Sequence, residues 1–582
     1  MQDNKNLIVA FLVSLVILLV FDVLVMRPQR EAAQQSMAEQ AGDKQSPAQS
    51  GDGAVVPTLE GVSDVPQGGL TSESASRQEA LNRSPRVAIE TPRLAGSIAL
   101  KGGRIDDLIL TEYKVSLSKD APPVTLLSPA GAANAYFADF GWVAAPGAPV
   151  KLPDREAVWT ASGDRLAPGR PLTLTWNNGE GLVFTRTFEV DEYYMFTVTQ
   201  SVRNESGMPL ALAPYGLVTR HGTPETSRML VLHEGPLAVF GEELAEIDYE
   251  DLRADGKVER DATGGWLGFT DKYWLTALIP NQDEHYRARF IYRQKDGLDR
   301  YQSDFLLDPR QVQPGEAVTV SSRLFAGAKV VELLDQYENR YQISRFDLGV
   351  DWGWFYWITK PIFYTLHYLN EVLGNFGLAI LALTVLLKLL FFPLANKSYM
   401  AMSKMKLLQP KMVELKERYG DDRVRLQQEM MELYRKEQVN PLAGCLPILV
   451  QIPVFFALYK VLFVTIEMRH APFYGWVRDL SAPDTLTPLN LFGLIPWDPP
   501  SIIAIGVWPI LMGLTMYLQQ KLNPAPQDPV QAKVMAFLPL IFTFILAQFA
   551  VGLVIYWTWN NVLSIAQQWV IMKRMGVPVE VK

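Results

Sequence analysis

Long apolar runs lie near both ends of the chain, and a region of mixed polarity separates them. Leu7–Met26 is apolar over about twenty residues, long enough as a helix to cross roughly 30 Å of hydrocarbon. Further apolar runs follow at Gly377–Pro393, Pro441–Val464, Ser501–Leu518 and Val534–Met572. The pattern therefore predicts a multi-span membrane protein with an extramembranous region inserted after its first span.

The first apolar run is predicted to stay attached as an anchor. A cleaved signal would have a shorter apolar region and a small-residue cleavage site, whereas Met26, Arg27 and Pro28 follow here. No cysteine near this run offers a lipid attachment site.

The last apolar run is too long for one span, because a helix of its roughly 39 residues would reach close to 60 Å. It is predicted to fold back at Ala550–Gly552, which gives six spans in total. The segment Lys397–Lys436 holds about ten Lys and Arg, which predicts a cytoplasmic loop. By parity, both termini are then cytoplasmic and the inserted region lies on the outer side.

The inserted region begins with a polar segment and continues with alternating strands. Residues 27–86 are rich in Ala, Gln, Ser, Gly and Pro, a composition typical of a flexible tether. From about residue 87 to 346, short alternating segments separated by turn signals predict a β-sandwich with few helices. Asn178–Gly179 is the clearest hairpin turn among them.

Composition and charge narrow the class of protein. The chain of 582 residues carries a net charge of -8, which argues against nucleic-acid binding as its main activity. Its single cysteine, Cys445, comes after the β-rich region, so a core and not disulfides must stabilise that region.

The β-rich region contains His221, His233, Glu234 and His285, which would suit a hydrolase or a sugar-binding site. No metal-ligand spacing and no nucleophile motif accompanies them, so surface or loop positions are the favoured interpretation. The chain also has no glycine-rich phosphate-binding loop.

Two amphipathic segments flank the second span. Trp352–Leu369 places Trp354, Ile358, Ile362 and Leu366 on one helical face, which is typical of an interfacial helix, although an ordinary packed helix fits as well. The cytoplasmic loop predicts a helical hairpin with a turn at Gly420–Asp422 and two apolar stripes that pack together. Its basic residues either meet ribosomal RNA or anionic lipid, or only satisfy the topology rule; they are Lys404, Lys406, Lys411, Lys416, Arg418, Arg423 and Arg425.

Lys388 is the most informative single residue, because it lies inside the second span. A cation there needs water or a partner, unless its stem snorkels about 7.5 Å to the cytoplasmic headgroups. Other polar residues in the spans favour a wet groove, although each taken singly can serve only helix packing; they are Thr384, Gln451, Thr515, Gln548, Asn560 and Asn561.

Several blocks from about Asp351 to Met572 give this region a specific resemblance to the YidC family of membrane protein insertases, in its Gram-negative form. The blocks are KMKLLQPK (Lys404–Lys411), the turn Gly420–Asp422, QEMMELY (Gln428–Tyr434), VNPLAGCLP (Val439–Pro447), QIPVFFALY (Gln451–Tyr459), PILMGLTM (Pro509–Met516) and GLVIY (Gly552–Tyr556). They occur in the family's order and spacing.

The resemblance implies a five-helix core around a hydrophilic groove that opens to the cytoplasm and the lipid. Lys388 matches a position where the family usually has arginine, and Thr384 matches a functionally sensitive threonine. Positions that contact the substrate helix in similar proteins are Phe455, Met512, Tyr556 and Trp557, with Trp557 in place of a more usual tyrosine. Ala550 and Val551 replace a common proline and serine.

The expected function is insertion and folding of nascent transmembrane segments, without an enzymatic reaction, a cofactor or a metal. The expected partners are nascent membrane proteins, the ribosome, the Sec translocon and the lipid bilayer, at the inner membrane of a Gram-negative bacterium. An envelope carbohydrate-binding or carbohydrate-modifying protein is the alternative. A small-solute transporter is another, although one lysine near the cytoplasmic end of a span fits poorly with the facing ionisable residues at mid-membrane that transporters usually have. An intramembrane protease would need carboxylates or a paired serine, and the later spans contain no carboxylate.

The predicted layout, by residue range, is as follows: 1–26 transmembrane anchor, 27–86 periplasmic tether, 87–346 periplasmic β-sandwich, 347–374 interfacial helix, 375–393 second transmembrane helix, 394–440 cytoplasmic helical hairpin, 441–464 third transmembrane helix, 465–500 periplasmic loop, 501–519 fourth transmembrane helix, 520–533 cytoplasmic loop, 534–572 fifth and sixth transmembrane helices, and 573–582 cytoplasmic tail.

Overall fold

The fold is taken from a computed structural model that describes residues 76–576 without 145–147, 149, 227–231, 420–421, 440–445, 493, 496, 498–499, 501–503 and 524–528. The predicted anchor at residues 1–26 and most of the predicted tether therefore lie outside the described residues.

In the described residues of the β-rich region there are twenty strands and two short helices. In chain order the first half comprises helix α1 (Arg77–Leu81) and strands β1 (Arg86–Glu90), β2 (Leu94–Ala99), β3 (Arg104–Lys114), β4 (Pro123–Leu127), β5 (Tyr136–Ala144), β6 (Thr160–Ala161), β7 (Arg165–Leu166), β8 (Leu172–Asn177), β9 (Leu182–Val190) and β10 (Met195–Asn204). The second half comprises β11 (Leu210–His221), β12 (Gly235–Phe240), β13 (Glu243–Glu246), helix α2 (Tyr249–Asp255), β14 (Lys257–Thr263), β15 (Gly265–Thr270), β16 (Trp274–Ile279), β17 (His285–Lys295), β18 (Leu298–Leu307), β19 (Arg310–Val312) and β20 (Ala317–Ala328).

The strands form two sheets. One has 11 strands, ordered β14-β17-β18-β11-β5-β3-β2-β1-β7, with β4 paired to β3 and β19 to β11. The other has nine strands, ordered β13-β12-β15-β16-β20-β10-β9-β8-β6. The pairs are antiparallel apart from the short β1–β7 pair. Phe184 and Phe196 of the second sheet share one buried core with Phe140 and Phe305 of the first, so the predicted all-β domain is confirmed.

Alternation in β8 and β9 explains how this core forms. The predicted turn at Asn178–Gly179 joins them, and Gly179 has φ 78°, a conformation that favours glycine. Alternate residues of β9 point inward, including Arg186 among apolar neighbours. Its guanidinium donates to Asp139 Oδ1 at 3.1 Å and to the carbonyl oxygens of Gly102 and Gly103, so the buried charge is satisfied.

The predicted tether is wrong at its C-terminal end, because residues 76–86 are folded. Ser76 caps α1 by accepting from the Glu79 backbone, and the Glu79 carboxylate accepts from the Ser76 backbone in return. Ala80 of this helix is buried, and β1 already begins at Arg86. The capping box Ser76–Glu79 is not evident from composition, because the residues before it have the polar, small-residue composition of a tether.

Nine α-helices follow the β-rich region in the described part of the chain. They are α3 (Val331–Tyr341), α4 (Tyr356–Leu373), α5 (Phe376–Leu390), α6 (Phe392–Tyr419), α7 (Arg423–Lys436), α8 (Leu446–Val464), α9 (Val507–Leu522), α10 (Pro529–Leu546) and α11 (Val551–Arg574). Among the described residues, no single helix is both long and apolar enough to cross a membrane, whereas α5 and α6, bent by 70°, pass together by length and composition.

Helix α11 is the central element of the helical part. It packs against α5, α6, α8 and α9, and α10 packs against α9. Residues 547–550 separate α10 from α11, so the break comes just before the predicted turn at Ala550–Gly552. Gly552 lies close to the Leu480 carbonyl oxygen, to which its N–H donates at 3.0 Å.

The predicted interfacial helix differs from α4 at its start. Trp352 is buried outside the helix, and its indole N–H donates to the Asp347 carbonyl oxygen at 3.0 Å. Ile362 and Leu366 are buried, whereas Trp357 is 72% exposed. Helix α4 thus packs against α5 and α8, whereas Tyr364 and Tyr368 are exposed like Trp357.

Candidate functional site

A small cleft opens beside Lys388, where α5 meets α8 and α11. It has a cavity volume of about 40 Å³, which is room for more than one water molecule. Side chains from all three helices and from the start of α6 line it: Thr384, Leu387, Lys388, Phe391, Leu394, Ala395, Tyr399, Gln451, Tyr556 and Asn560. The structure therefore brings together three of the predicted groove residues, Lys388, Thr384 and Gln451.

Lys388 is held by a hydroxyl and not by an acid. Its ammonium donates to Ser564 Oγ at 2.7 Å, and that hydroxyl donates to the Asn560 carbonyl oxygen at 2.8 Å. Within the part of the chain that the structure describes, no carboxylate lies within ion-pair distance of Lys388. The positive charge of a half-buried lysine is thus left available to the cleft.

The side chains of Gln451, Tyr556 and Thr384, which also line the cleft, are hydrogen-bonded. Gln451 Nε2 donates to the Tyr556 hydroxyl at 2.6 Å, which joins α8 to α11. The Thr384 hydroxyl donates to the Ile380 carbonyl oxygen at 2.7 Å, within its own helix. Thr384 is buried, and this hydrogen bond satisfies its hydroxyl donor, so the wall of the cleft carries a polar oxygen at no unsatisfied cost.

Thr515 lies away from this cleft. Its hydroxyl donates to the Met512 carbonyl oxygen at 2.8 Å and accepts from Asn561 Nδ2 at 3.2 Å. Its polar contact therefore joins α9 to α11.

The predicted substrate-contact residues fall into two groups. Phe455 and Trp557 are half-buried and stack edge-to-face, with ring centroids 4.8 Å apart. Met512 and Tyr556, in contrast, are buried. Met512 is fully enclosed in this conformation and shares a cluster with Val554, so its contact with a substrate helix stays a prediction.

Sequence reasoning missed Ser564, the partner of Lys388. The signal was present, since Asn561, Ser564 and Gln568 follow each other at spacings of three and four residues and form one buried polar stripe on α11. Gln568 Nε2 donates to Asn523 Oδ1 at 3.2 Å, at the far end of α9.

The α6–α7 hairpin packs through the predicted stripes. Leu408 and Met412 of α6 form a cluster with Met430 and Leu433 of α7, and Asp422 caps α7 by accepting from the Arg425 N–H at 3.0 Å. Most of the predicted basic side chains are exposed, except that Lys406 is half-buried and the side chain of Arg423 lies outside the described residues. Two of the exposed ones, Lys411 and Arg418, pair with Glu437 and Glu414.

The candidate hydrolase residues of the β-domain do not assemble. His285 is exposed and lies 3.2 Å from Asp308, whereas the backbone N–H of His233 donates to Asp351 and that of Lys272 donates to Glu234. Across the described ranges, the one acidic group with metal-like geometry is Asp335, Glu338 and Asp347. The Lys360 ammonium already lies between two of these carboxylates, 2.9 Å from Asp335 and 2.7 Å from Asp347.

Comparison with known proteins covers the whole chain. The family model described as the YidC periplasmic domain matches residues 86–365, and the one described as the 60Kd inner membrane protein matches residues 368–577.

Curated relatives match over their full length. The membrane protein insertase YidC of Methylobacterium nodulans is 52% identical over 590 residues, which cover 100% of this chain and 96% of the relative. The protein of the same description from Rhizobium meliloti is 49% identical, covering 100% of this chain and 97% of the relative. A solved active YidC insertase with its first transmembrane domain resolved is 15% identical, covers 88% of this chain and 94% of its own, and has a TM-score of 0.35.

Full-length identity near one half, together with two family matches that divide the chain into its β-domain and its helical part, shows that this chain belongs to the YidC family of membrane protein insertases.

Proposed function

We propose that this family member inserts nascent transmembrane segments into the inner membrane through the cleft beside Lys388. The observation that carries the proposal is the charge of Lys388, held to Ser564 at 2.7 Å in a cleft where no carboxylate of the described residues pairs with it. By contrast, the Lys460 ammonium lies 2.6 Å from the Asp351 carboxylate, which compensates its charge.

The physical role of the cleft is to shorten the barrier for the polar flank of a substrate. A polar or charged flank cannot enter hydrocarbon cheaply, because it loses its hydration there. A cleft with water and one cation offers that flank a polar halfway position. Acidic flanks gain most, since their charge is opposite to that of Lys388.

The apolar part of the substrate follows a separate path. Phe455 and Trp557 form a half-buried aromatic pair on α8 and α11. A substrate helix that slides along these rings buries apolar surface as it moves into lipid. Met512 and Tyr556 join this path only if α9 and α11 separate, because both are buried here.

The proposed topology follows the charge pattern of the sequence. It has six spans with both termini in the cytoplasm, the β-domain in the periplasm and the α6–α7 hairpin in the cytoplasm. The exposed aromatic side chains of α4, among them Trp357, support its position at the outer membrane surface.

The α6–α7 hairpin is the proposed contact for the ribosome. Lys404 and Arg425 are exposed and carry no carboxylate partner among the described residues, so they are available to phosphate groups. The Sec translocon is proposed as a further partner from the family resemblance alone.

The test is insertion of a short, acidically flanked single-span substrate into vesicles that contain only this purified protein. Wild type is compared with Lys388→Arg, Lys388→Ala and Lys388→Glu. We expect arginine to retain insertion, alanine to reduce it and glutamate to abolish it, because each change alters the charge offered to the acidic flank.

Lys521→Ala is the matched control, since Lys521 is an exposed lysine near the end of α9 whose charge lies over the Tyr517 ring. If Lys388→Ala and Lys521→Ala behave alike and both insert as well as wild type, Lys388 only snorkels and the groove mechanism fails. If wild type inserts no more than empty vesicles, autonomous insertion fails.

A further inference from the structure

An apolar lobe projects from the segment between α8 and α9. The lobe consists of residues 485–492, 494, 495 and 497, and the sequence from Thr485 to Trp497 contains no charged residue. Leu494 is 83% exposed, and five further large apolar side chains are between 43% and 56% exposed; these are Leu489, Leu491, Phe492, Ile495 and Trp497. Exposed apolar surface of this extent marks an interaction site.

The lobe is folded in spite of its exposure. The Phe492 N–H donates to the Thr487 carbonyl oxygen at 3.1 Å, and the Ile495 N–H donates to that of Asn490 at 3.1 Å. Leu491 and Phe492 both adopt left-handed backbone conformations, with φ of 48° and 59°. Non-glycine residues rarely adopt this conformation, so the backbone is strained at the two positions whose side chains are exposed.

The root of the lobe is fixed to the start of α9. The Val507 N–H donates to the Leu486 carbonyl oxygen at 3.0 Å. Asp484 accepts from the Trp476 indole at 2.9 Å and from the Trp508 backbone at 2.8 Å. The lobe therefore lies at the level where α9 begins, which is the outer membrane surface in the proposed topology.

We infer that this lobe inserts into the outer leaflet and anchors the α8–α9 segment to lipid at the headgroup boundary. Leucine and isoleucine supply apolar area, and Phe492 and Trp497 supply the aromatic rings that favour this depth. The absence of charge from Thr485 to Trp497 fits lipid, because any charged side chain on the lobe would have to stay in water. The inference rests on the proposed topology.

The test places a single fluorescent label on the lobe of the full chain. Leu494→Cys is made in a Cys445→Ser background, labelled with an environment-sensitive dye and reconstituted in phosphatidylcholine–phosphatidylglycerol vesicles. Spin-labelled lipids quench the dye either near the headgroup or at the end of the acyl chain. Glu180→Cys, on the exposed β8–β9 turn, is the control.

We expect a blue-shifted emission at position 494 and stronger quenching by the headgroup-level spin label, at a depth of about 5–10 Å. The control should emit as in water and remain unquenched. Emission at position 494 equal to that of the control would overturn the inference. A blue shift without quenching by either lipid would also overturn it, because protein, such as a second copy, would then cover the lobe.

The same measurement in a Lys388→Glu chain separates this inference from the proposed function. Quenching should persist there although insertion is lost. If the labelled chain inserts substrate but its dye is not quenched, only the proposed insertion of the lobe into lipid is refuted. If the dye is quenched but the Cys445→Ser chain inserts no substrate, only the proposed insertase mechanism is refuted.

Discussion

The ion pair between Lys460 and Asp351 joins the C-terminal end of α8 to the segment that leads from the β-domain into α4. The Lys460 ammonium lies 2.6 Å from Asp351 Oδ2, and the two side chains are only 9% and 15% exposed. Asp351 also accepts from the backbone N–H of His233 at 3.0 Å and of Gly353 at 3.1 Å. The pair therefore connects three parts of the chain.

Removing one partner of such a buried pair costs about 3–5 kcal/mol, because the other charge stays buried without compensation. We expect the destabilisation by Asp351→Asn to lie at the upper end of this range, because the unpaired Lys460 cation then remains near the buried Lys329. Lys460→Met should lie at the lower end, because Asp351 keeps two backbone donors. The double variant should cost about 2 kcal/mol less than the sum of the single variants.

The assay is a double-mutant cycle on the free energy of unfolding, from urea titrations of the protein in detergent micelles followed by tryptophan fluorescence. Additive effects of the two substitutions would refute the argument, because uncoupled residues add. A Lys460→Met variant as stable as wild type would refute it too, since a satisfied buried pair cannot lose its cation at no cost.

Three further predictions concern single residues. Burial raises the pKa of the Glu467 carboxyl from 4.5 to about 7. Its contribution to the free energy of unfolding is therefore complete below about pH 4.5 and is lost as the pH rises through 7. Glu467→Gln should remove this pH dependence and, in urea titrations at pH 8, stabilise the protein by up to about 3 kcal/mol. Ser564→Ala should reduce insertion less than Lys388→Ala does, because the cation remains, and equal losses in the vesicle assay would contradict this order. Gly265→Ala should destabilise the β-domain by more than about 2 kcal/mol, because its φ is 91° and a Cβ would overlap a strand carbonyl oxygen; Gly297→Ala, with a similar φ of 76° but open space, should cost less in the same titration.

The general architecture could be predicted from sequence motifs and from the periodic spacing of apolar residues. Alternating residues in β8 and β9 predicted inward and outward faces, because side chains on a strand alternate by geometry alone. The α6–α7 hairpin followed from two apolar stripes and a capping aspartate, which are likewise local signals. The family was evident from blocks of residues in order.

Two burials depend on contacts between distant residues. Met512 matches a substrate-contact position by its motif, and packing of α9 against α11 encloses it in this structure. Trp352 reads as the start of an amphipathic helix, but a hydrogen bond to Asp347 holds it in the core. Neither burial is visible in a local pattern.

The sequence by itself determined that the chain has an all-β domain, a helical core and a lysine within an apolar helix, since strand alternation, apolar length and charge are properties of short segments. Only the tertiary structure decided that Lys388 meets Ser564, 176 residues away, and that Lys460 meets Asp351. Which hydroxyl or carboxylate reaches a cation depends on how helices cross, and crossing is fixed by side-chain packing between segments that no local period encodes.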